Sequence, residues 1–293
     1  VRDIPKHITK EVKEALVRYY KSRPMTLEHL VETFNISIPS VIKVLNEYRV
    51  KRYSKVRLFS PDLIEDYFET INTECKAYFL GLIITDGCIH STKGRQPLVS
   101  LTLQKSDAYL LEKLKEELNS NKRVTGDGRG CCSLSILSSK MVTDLKQYGI
   151  APDRSLSVAF PKNIPKQFYR HFIRGVLDGD GSVSYYSRAA HGRKSHTKAV
   201  RFCKGNKQFL EDLVEFLFAN AEVEKVNLYR EKDNLWSIAY RKNSSMLKLI
   251  DYMYDDAHVY MERKKRLCDL VYAEAYKYGS AEITKGNKNP MVS

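Results

Sequence analysis

The chain has no apolar run long enough to cross a bilayer, and its first residues lack the charged region, apolar region and cleavage pattern of a secretory signal. Membrane-embedded and exported classes are therefore set aside. Cysteine is sparse and badly spaced for metal: residues 75, 88, 131, 132, 203 and 268 form no zinc-ligand turn, and Cys131-Cys132 is too close for one. Free thiols in a reducing, intracellular compartment are the simpler account, whether cytoplasm or nucleoid of a prokaryote or an organelle. Negative charge is the third shortage. Against 49 Lys and Arg stand 35 Asp and Glu, a net +14 over 293 residues. Between Ser182 and Phe209 there is no acid at all, while Arg188, Arg193, Lys194, Lys198, Arg201, Lys204 and Lys207 are basic. Such a surface attracts a polyanion, and basic residues interleaved with strand formers and aromatics suit nucleic acid better than a membrane.

What is present is an internal repeat. Phe79 to Gly87 reads FLGLIITDG, and Ile173 to Gly181 reads IRGVLDGDG. Each runs from an apolar helical pattern through small residues to an acid followed at once by glycine. Ala77, Gly81 and Thr85 fall on one helical face, as do His171, Gly175 and Gly179. A glycine-bearing face admits a second backbone closely. The spacing predicts two helices packed side by side in the same sense, with Asp86 and Asp180 emerging together and Gly87 and Gly181 turning the chain into strands. Carboxylates forced together call for a cation, and magnesium binds through one or two carboxylates plus substrate phosphates.

These two stretches resemble the paired motifs of the single-chain LAGLIDADG homing endonucleases, and the resemblance spans residues 76 to 276. It implies an α+β fold of two pseudo-symmetric repeats, with curved antiparallel sheets on a paired-helix core. Residues 71–169 and 170–278 are the expected repeats, after a helical domain at 1–70 and before a mobile tail at 279–293. It also implies that Asp86 and Asp180 are the metal-binding catalytic acids. The first copy departs from the pattern at Ile84, where the second has Asp178. By the same resemblance Gln104 and Lys105 stand where polar groups and water are ordered around the cleavage site, although Gln104 also suits a base contact and Lys105 simple exposure. Lys204 matches Lys105, and Cys203 replaces Gln104. A basic residue beside the metal centre carries over to Arg154 in the first repeat. In the second it carries over to Lys264, with Arg263 competing for that place or for phosphate.

Ahead of the repeats, helices are expected near Lys10 to Tyr20 on Val12, Leu16 and Tyr19, then after the cap Thr26 on Leu27, Leu30, Val31 and Phe34, then after the cap Ser37 on Val41, Ile42 and Leu45. This is a helix-turn-helix pattern. Its third helix offers Ser40, Lys43, Asn46 and Arg49 to DNA, and a wing over Lys51 to Phe59 offers Arg52, Lys55 and Arg57. Asp62 to Asn72 reads as a connector helix or linker.

Within the repeats, Cys88 to His90 and Leu98 to Gln104 alternate as strands around a polar turn bearing Lys93 and Arg95. Asp107 to Leu118 is an amphipathic helix. Lys122, Arg123 and Arg129 flank the turn at Gly126 to Gly128 and are phosphate-contact candidates. In the second repeat Ser182 to Ser187 and Lys198 to Cys203 are expected strands joined by a long polar loop containing His191, Arg193, Lys194 and His196. Val226 to Arg230 and Leu235 to Tyr240 form a hairpin, with Trp236 as an inward anchor. Arg188, Arg193, Lys194, Lys198, Arg201, Arg230, Lys232, Arg241 and Lys242 complete the DNA candidates.

The expected activity is Mg2+-dependent cleavage of both strands of a long asymmetric DNA duplex by a monomer, leaving four-nucleotide 3′ overhangs by the family analogy. Two competitors keep the surface and change the chemistry. One is a regulator that binds DNA without cutting it, against which the two acids argue. The other is an intron RNA-splicing maturase, against which the helix-turn-helix argues.

Overall fold

Thr26 and Ser37 fix the starts of two helices, because their hydroxyls accept from the amides of His29 and Ser40 and so satisfy donors that the helix cannot. The computed structural model describes residues 8–22, 25–53, 62–92, 96–151, 158–190, 193–232 and 235–286. They divide into two compact units, Val1–Ile64 with Leu118–Lys122, and Glu65–Glu117 with Arg123–Ser293.

In the N-terminal unit α1 (Lys10–Ser22), α2 (Leu27–Phe34) and α3 (Ile38–Glu47) enclose a core of Leu16, Val17, Tyr20, Met25, Leu30, Ile36, Val41, Val44 and Leu45. The buried face of α1 is rotated from the expected one: Val17 and Tyr20 are inside, and Tyr19 is half-buried against His29 and Phe34. Tyr20 can be buried because its hydroxyl accepts from the Tyr53 amide at 2.9 Å. Asn35, at φ 52°, ends α2 in the left-handed conformation that asparagine tolerates. Most of the expected wing falls outside the described residues.

In the larger unit α4 (Glu74–Asp86) leads into β1 (Gly87–His90), followed by β2 (Leu98–Gln104), α5 (Ala108–Glu117), β3 (Thr125–Gly126), β4 (Cys131–Leu137) and α6 (Ser139–Lys146). The second repeat follows the same plan with α7 (Tyr169–Asp180), β5 (Ser182–Ala190), β6 (Arg193–Lys204), α8 (Lys207–Asn220), β7 (Tyr229–Lys232), β8 (Leu235–Tyr240), α9 (Asn243–Tyr254) and α10 (Glu262–Gly286). Each repeat has a four-stranded antiparallel sheet, ordered β1-β2-β4-β3 and β5-β6-β8-β7. Alternation sets the faces: Val99, Leu101 and Leu103 are buried, while Thr102 and Gln104 are exposed on the opposite face.

Of the two alternatives for 62–72 the structure has the linker: no helix spans those residues; Tyr67 and Phe68, neighbours in sequence, are both buried, and the Tyr67 hydroxyl donates to Glu117 at 2.9 Å. Three expectations change. The supposed long loop of the second repeat is strand, since Ala190 pairs with Arg193. The β7 strand starts at Tyr229 rather than Val226. The terminal packing helix expected over Leu267 to Tyr278 begins at Glu262 and runs through Gly286, into the stretch read as tail; 287–293 lie outside the described residues.

Candidate active site at the paired helix ends

The two motif helices are brought together by glycine. A Cβ on Gly81 would stand 2.3 Å from the Phe172 carbonyl oxygen, and one on Gly175 would stand 2.2 Å from that of Tyr78. Neither position admits a side chain unless a backbone moves. One turn further on, a Cβ on Gly179 would collide with Thr85 Oγ1 at 1.9 Å and lie 2.9 Å from Asp86 Oδ2. The order of these contacts makes the helices parallel, so both chains end at the same level. Gly87 and Gly181 leave their helices with φ of −84° and −85°, ordinary extended values. Their need for glycine is space and not a left-handed turn: added Cβ atoms would lie 2.4 Å from the Ile83 carbonyl and 2.6 Å from the Leu177 carbonyl.

Asp86 is half-buried at the end of α4, and the Asp180 side chain is 35% exposed at the end of α7. The Asp86 carboxyl is pushed up to about 6, first by burial and then by the charge of Asp180, against the pull of Lys264, Lys204 and Arg263. Asp180 is served directly: the buried Lys204 ammonium donates to its Oδ2 at 2.8 Å and to the Ile84 carbonyl at 2.9 Å, tying the two helix ends. Among the described residues no group of three His, Cys, Asp or Glu is placed to hold a metal. Two carboxylates suit a cation that draws its remaining ligands from water and phosphate.

The other predicted site residues separate. Gln104 and Lys105 are both exposed, with the Lys105 amide donating to the Gly130 carbonyl at 2.8 Å. Lys264 is buried, and its ammonium lies 2.8, 2.5, 3.2 and 2.7 Å from the carbonyl oxygens of Leu177, Asp178, Gly179 and Gly181. It caps the end of α7, where unpaired carbonyls gather negative partial charge. Burial lowers its pKa, opposed by Asp178, Asp86 and Asp180. Arg154 lies outside the described residues.

Several residues that hold the site together carry no short-range signature. Arg174, fully buried in α7, donates from Nε to the Val259 carbonyl at 2.9 Å and from Nη2 to Glu74 Oε1 at 2.6 Å, while Nη1 reaches the Met253 carbonyl at 2.5 Å. Glu74 also accepts from the amides of His258 and Val259. Asp178, fully buried, accepts from the Tyr78 hydroxyl at 2.8 Å and the Met261 amide at 2.7 Å, yet burial still pushes its carboxyl up to about 6. The available signal was an arginine and a second acid inside an otherwise apolar motif.

The nucleic-acid candidates also sort by placement. On the N-terminal unit Lys43, Asn46, Arg49 and Arg52 are exposed. Arg49 is past the end of α3, at φ 53°, and the Ser40 hydroxyl is engaged with that of Ser37 at 2.9 Å, so neither sits as expected on a free helix face. Lys122 is half-buried, and Arg123 and Arg129 are exposed around β3. Lys198 is half-buried and shares its side of β6 with Val200 and Phe202, within reach of the charge of Glu274 on α10. Arg201 is on the other face, bonded to Glu231 at 3.0 Å, and Glu231 also accepts from Ser237 at 2.6 Å. Arg230, Arg241 and Lys242 are exposed; Arg241 stands over the Tyr229 ring, and Lys242 pairs with Glu224 at 3.3 Å. Arg188, Arg193, Lys194 and Lys232 have backbones in β5, β6, β6 and β7. Lys55, Arg57, Lys93 and Arg95 lie outside the described residues.

Two repeats joined through glycine-faced parallel helices, each with its own antiparallel sheet, make up a fold that this chain shares with solved structures. Among solved structures, I-SmaMI bound to an uncleaved DNA target in the presence of calcium is similar at TM-score 0.51 and 13% identity, covering 71% of this chain and 93% of that one. The LAGLIDADG meganuclease I-AabMI bound to uncleaved DNA is similar at TM-score 0.51 and 19% identity, covering 71% and 96%. No family model and no curated protein matches the sequence.

Proposed function

We propose that this chain is a site-specific endonuclease that hydrolyses both strands of a DNA duplex with magnesium. The observation that carries the reading is the convergence of Asp86 and Asp180 at the ends of two glycine-locked parallel helices. A carboxylate held beside a second carboxylate, its proton affinity raised by burial and by that neighbour's charge, forms a site for a divalent cation. When bound, the cation would polarise a scissile phosphate and lower the pKa of a water.

The chain's own residues do the rest. Asp86 and Asp180 hold the negative charge at one level. Lys204 fixes the orientation of Asp180, and Lys264 neutralises the carbonyls beneath it. In hydrolysis the water oxygen joins phosphorus, one P–O ester bond breaks, and the leaving oxygen takes up a proton. Cuts on the two strands across the minor groove leave four-nucleotide 3′ overhangs. The open faces of the two sheets differ in side chains, which suits an asymmetric target read in the major groove. The N-terminal unit extends the contacted site through Lys43, Asn46 and Arg52, and the protein acts as a monomer.

The test is selection from a randomised duplex library in calcium, then exchange into magnesium with mapping of the ends. Paired cuts within one enriched sequence are expected. Enrichment without cuts would assign the chain to DNA binding alone.

A further inference from the structure

The two sheets differ one step beyond the acids. Two residues past Asp86, Cys88 pairs across the strands with Ser100, whose hydroxyl accepts from that of Ser135 at 3.2 Å. Two residues past Asp180, Ser182 pairs instead with Arg201. A Cβ on Gly181 would lie 2.9 Å from the Arg201 carbonyl oxygen, so this arginine stands directly beside the chain that leaves the acid. Val200 and Phe202 are buried, and alternation puts Arg201 on the opposite, open face of β6.

Its guanidinium is held in place. Arg201 Nη1 donates to Glu231 Oε1 at 3.0 Å, and the buried Ser237 donates its hydroxyl to the same oxygen at 2.6 Å. Two features let an acid on the edge strand β7 reach β6 across β8. Glu231 is the extra residue of a bulge, since Arg230 pairs with Trp236 and Lys232 with Leu235, and a bulge re-aims a side chain. The β8 partner of Arg201 is Ala239, too small to keep the two charges apart. Both side chains remain 34% exposed. With Nη1 engaged, Nε and Nη2 of Arg201 make no hydrogen bond among the described residues.

A carboxylate on a face that meets a polyanion is unfavourable unless it serves a partner. Here it cancels the charge of the arginine, which weakens the pull toward phosphate, and it fixes the direction of the remaining donors. An oriented fork of donors matches O6 and N7 of guanine in the major groove. Paired hydroxyls, as on the first sheet, both donate and accept and favour no single base.

We propose that Arg201, positioned by Glu231, selects guanine at one base pair beside the cleavage position in the half-site read by the second repeat. This rests on the duplex-DNA part of the endonuclease reading and adds a base that the target must contain. Arg201 is the specificity determinant, and Glu231 acts through it as a positioning residue. The other half-site meets Ser100 and Ser135 at the matching place and is the more degenerate there.

The test selects the full chain and its variants against a randomised duplex library in calcium, so that it reads binding and not cutting. The wild-type protein enriches a site with a fixed G·C pair, which Arg201→Ala enriches without preference while the other positions stay the same. On the selected duplex carrying each of the four base pairs at that position, the wild-type protein binds G·C about tenfold or more tightly than the rest, and Arg201→Ala binds all four within about twofold. Glu231→Gln keeps an acceptor for Arg201 and retains the preference; Glu231→Ala lowers it. The double variant of Arg201→Ala with Glu231→Gln removes one charge of each sign, so its affinity falls with salt as steeply as that of the wild-type protein. Equal weakening on all four base pairs with a shallower salt dependence makes Arg201 a phosphate contact and overturns the assignment, as does a selected site in which Arg201→Ala alters no position. If Arg201→Ala fails to fold, Arg201→Gln decides alone: loss of the guanine preference supports the proposal and its survival overturns it. A chain that shows this preference and cuts neither strand sinks the endonuclease reading and keeps the assignment. A chain that selects no duplex sinks both.

Discussion

The first repeat presents Ile84 and Thr85 where the second presents Asp178 and Gly179, and Leu80 where the second has Arg174. At the ends of β2 and β6, Lys105 is exposed and Lys204 is buried against Asp180. Yet the two sheets have the same strand order, and the two helices meet through the same glycine position. The difference teaches which features the scaffold demands. Backbone approach and alternating burial tolerate no change without a clash or an exposed core. Buried charges are satisfied one at a time, by whichever donors surround them, so they can diverge between repeats.

The largest expected effect tests whether the acids remain equivalent despite this. On the proposed endonuclease function, Asp86→Asn and Asp180→Asn should each reduce cleavage by about a thousandfold or more while binding in calcium persists, because each would remove a charge that the metal needs. Strand-resolved cleavage checks this, and normal cutting by either variant removes that residue from the site. Next comes the network around Arg174, which reaches Glu74 in the first repeat. Arg174→Met should cost about 3–5 kcal/mol, because it strands the partly buried Glu74 carboxylate and two carbonyls. Urea unfolding would measure it; a cost near that of a surface substitution would show that Arg174 is not what binds the two repeats together.

Smaller still is the shared feature. Gly81→Ala and Gly175→Ala should each lose about 1–3 kcal/mol by overpacking, and by similar amounts, since each added Cβ meets a carbonyl of the other helix. A large inequality in matched unfolding curves would break the symmetry of the helix pair. The smallest effect is on pH dependence in EDTA. Asp86 and Asp178 both titrate near 6 in the folded chain, against an ordinary value of 3.8. The folded state thus holds these protons more tightly than the unfolded state. Their contribution is fully present below about pH 4 and is lost as pH rises through 6. Asp86→Asn should therefore raise Tm at pH 7.5 by roughly 2–4 °C and lose that advantage by pH 4. An advantage that is independent of pH would place the stabilisation elsewhere.

Much of this was legible before any coordinates. The helical spacing of Gly81 with Thr85 and Gly175 with Gly179 gave the packed faces, and the caps Thr26 and Ser37 placed two helix starts. The side of the strand that Lys198 takes was legible too: its period-two register puts it with Val200 and Phe202. Arg49 was read as helical because its period continued, whereas α3 ends at Glu47. The partners of Arg174, Lys264 and Arg263 were beyond reach, since Glu74, the α7 carbonyls and Asp107 are distant in sequence.

The sequence by itself determined the repeat, the glycine-faced helix pair, the strand alternation and the two acids at the helix ends, because each follows from a local period or from the size of a side chain. Tertiary structure alone decided that Lys204 serves Asp180, that Lys264 is consumed by the end of α7, and that Arg263 bonds to Asp107. A local period says which way a charged group points. Which acceptor neutralises it is settled only when distant segments close around it.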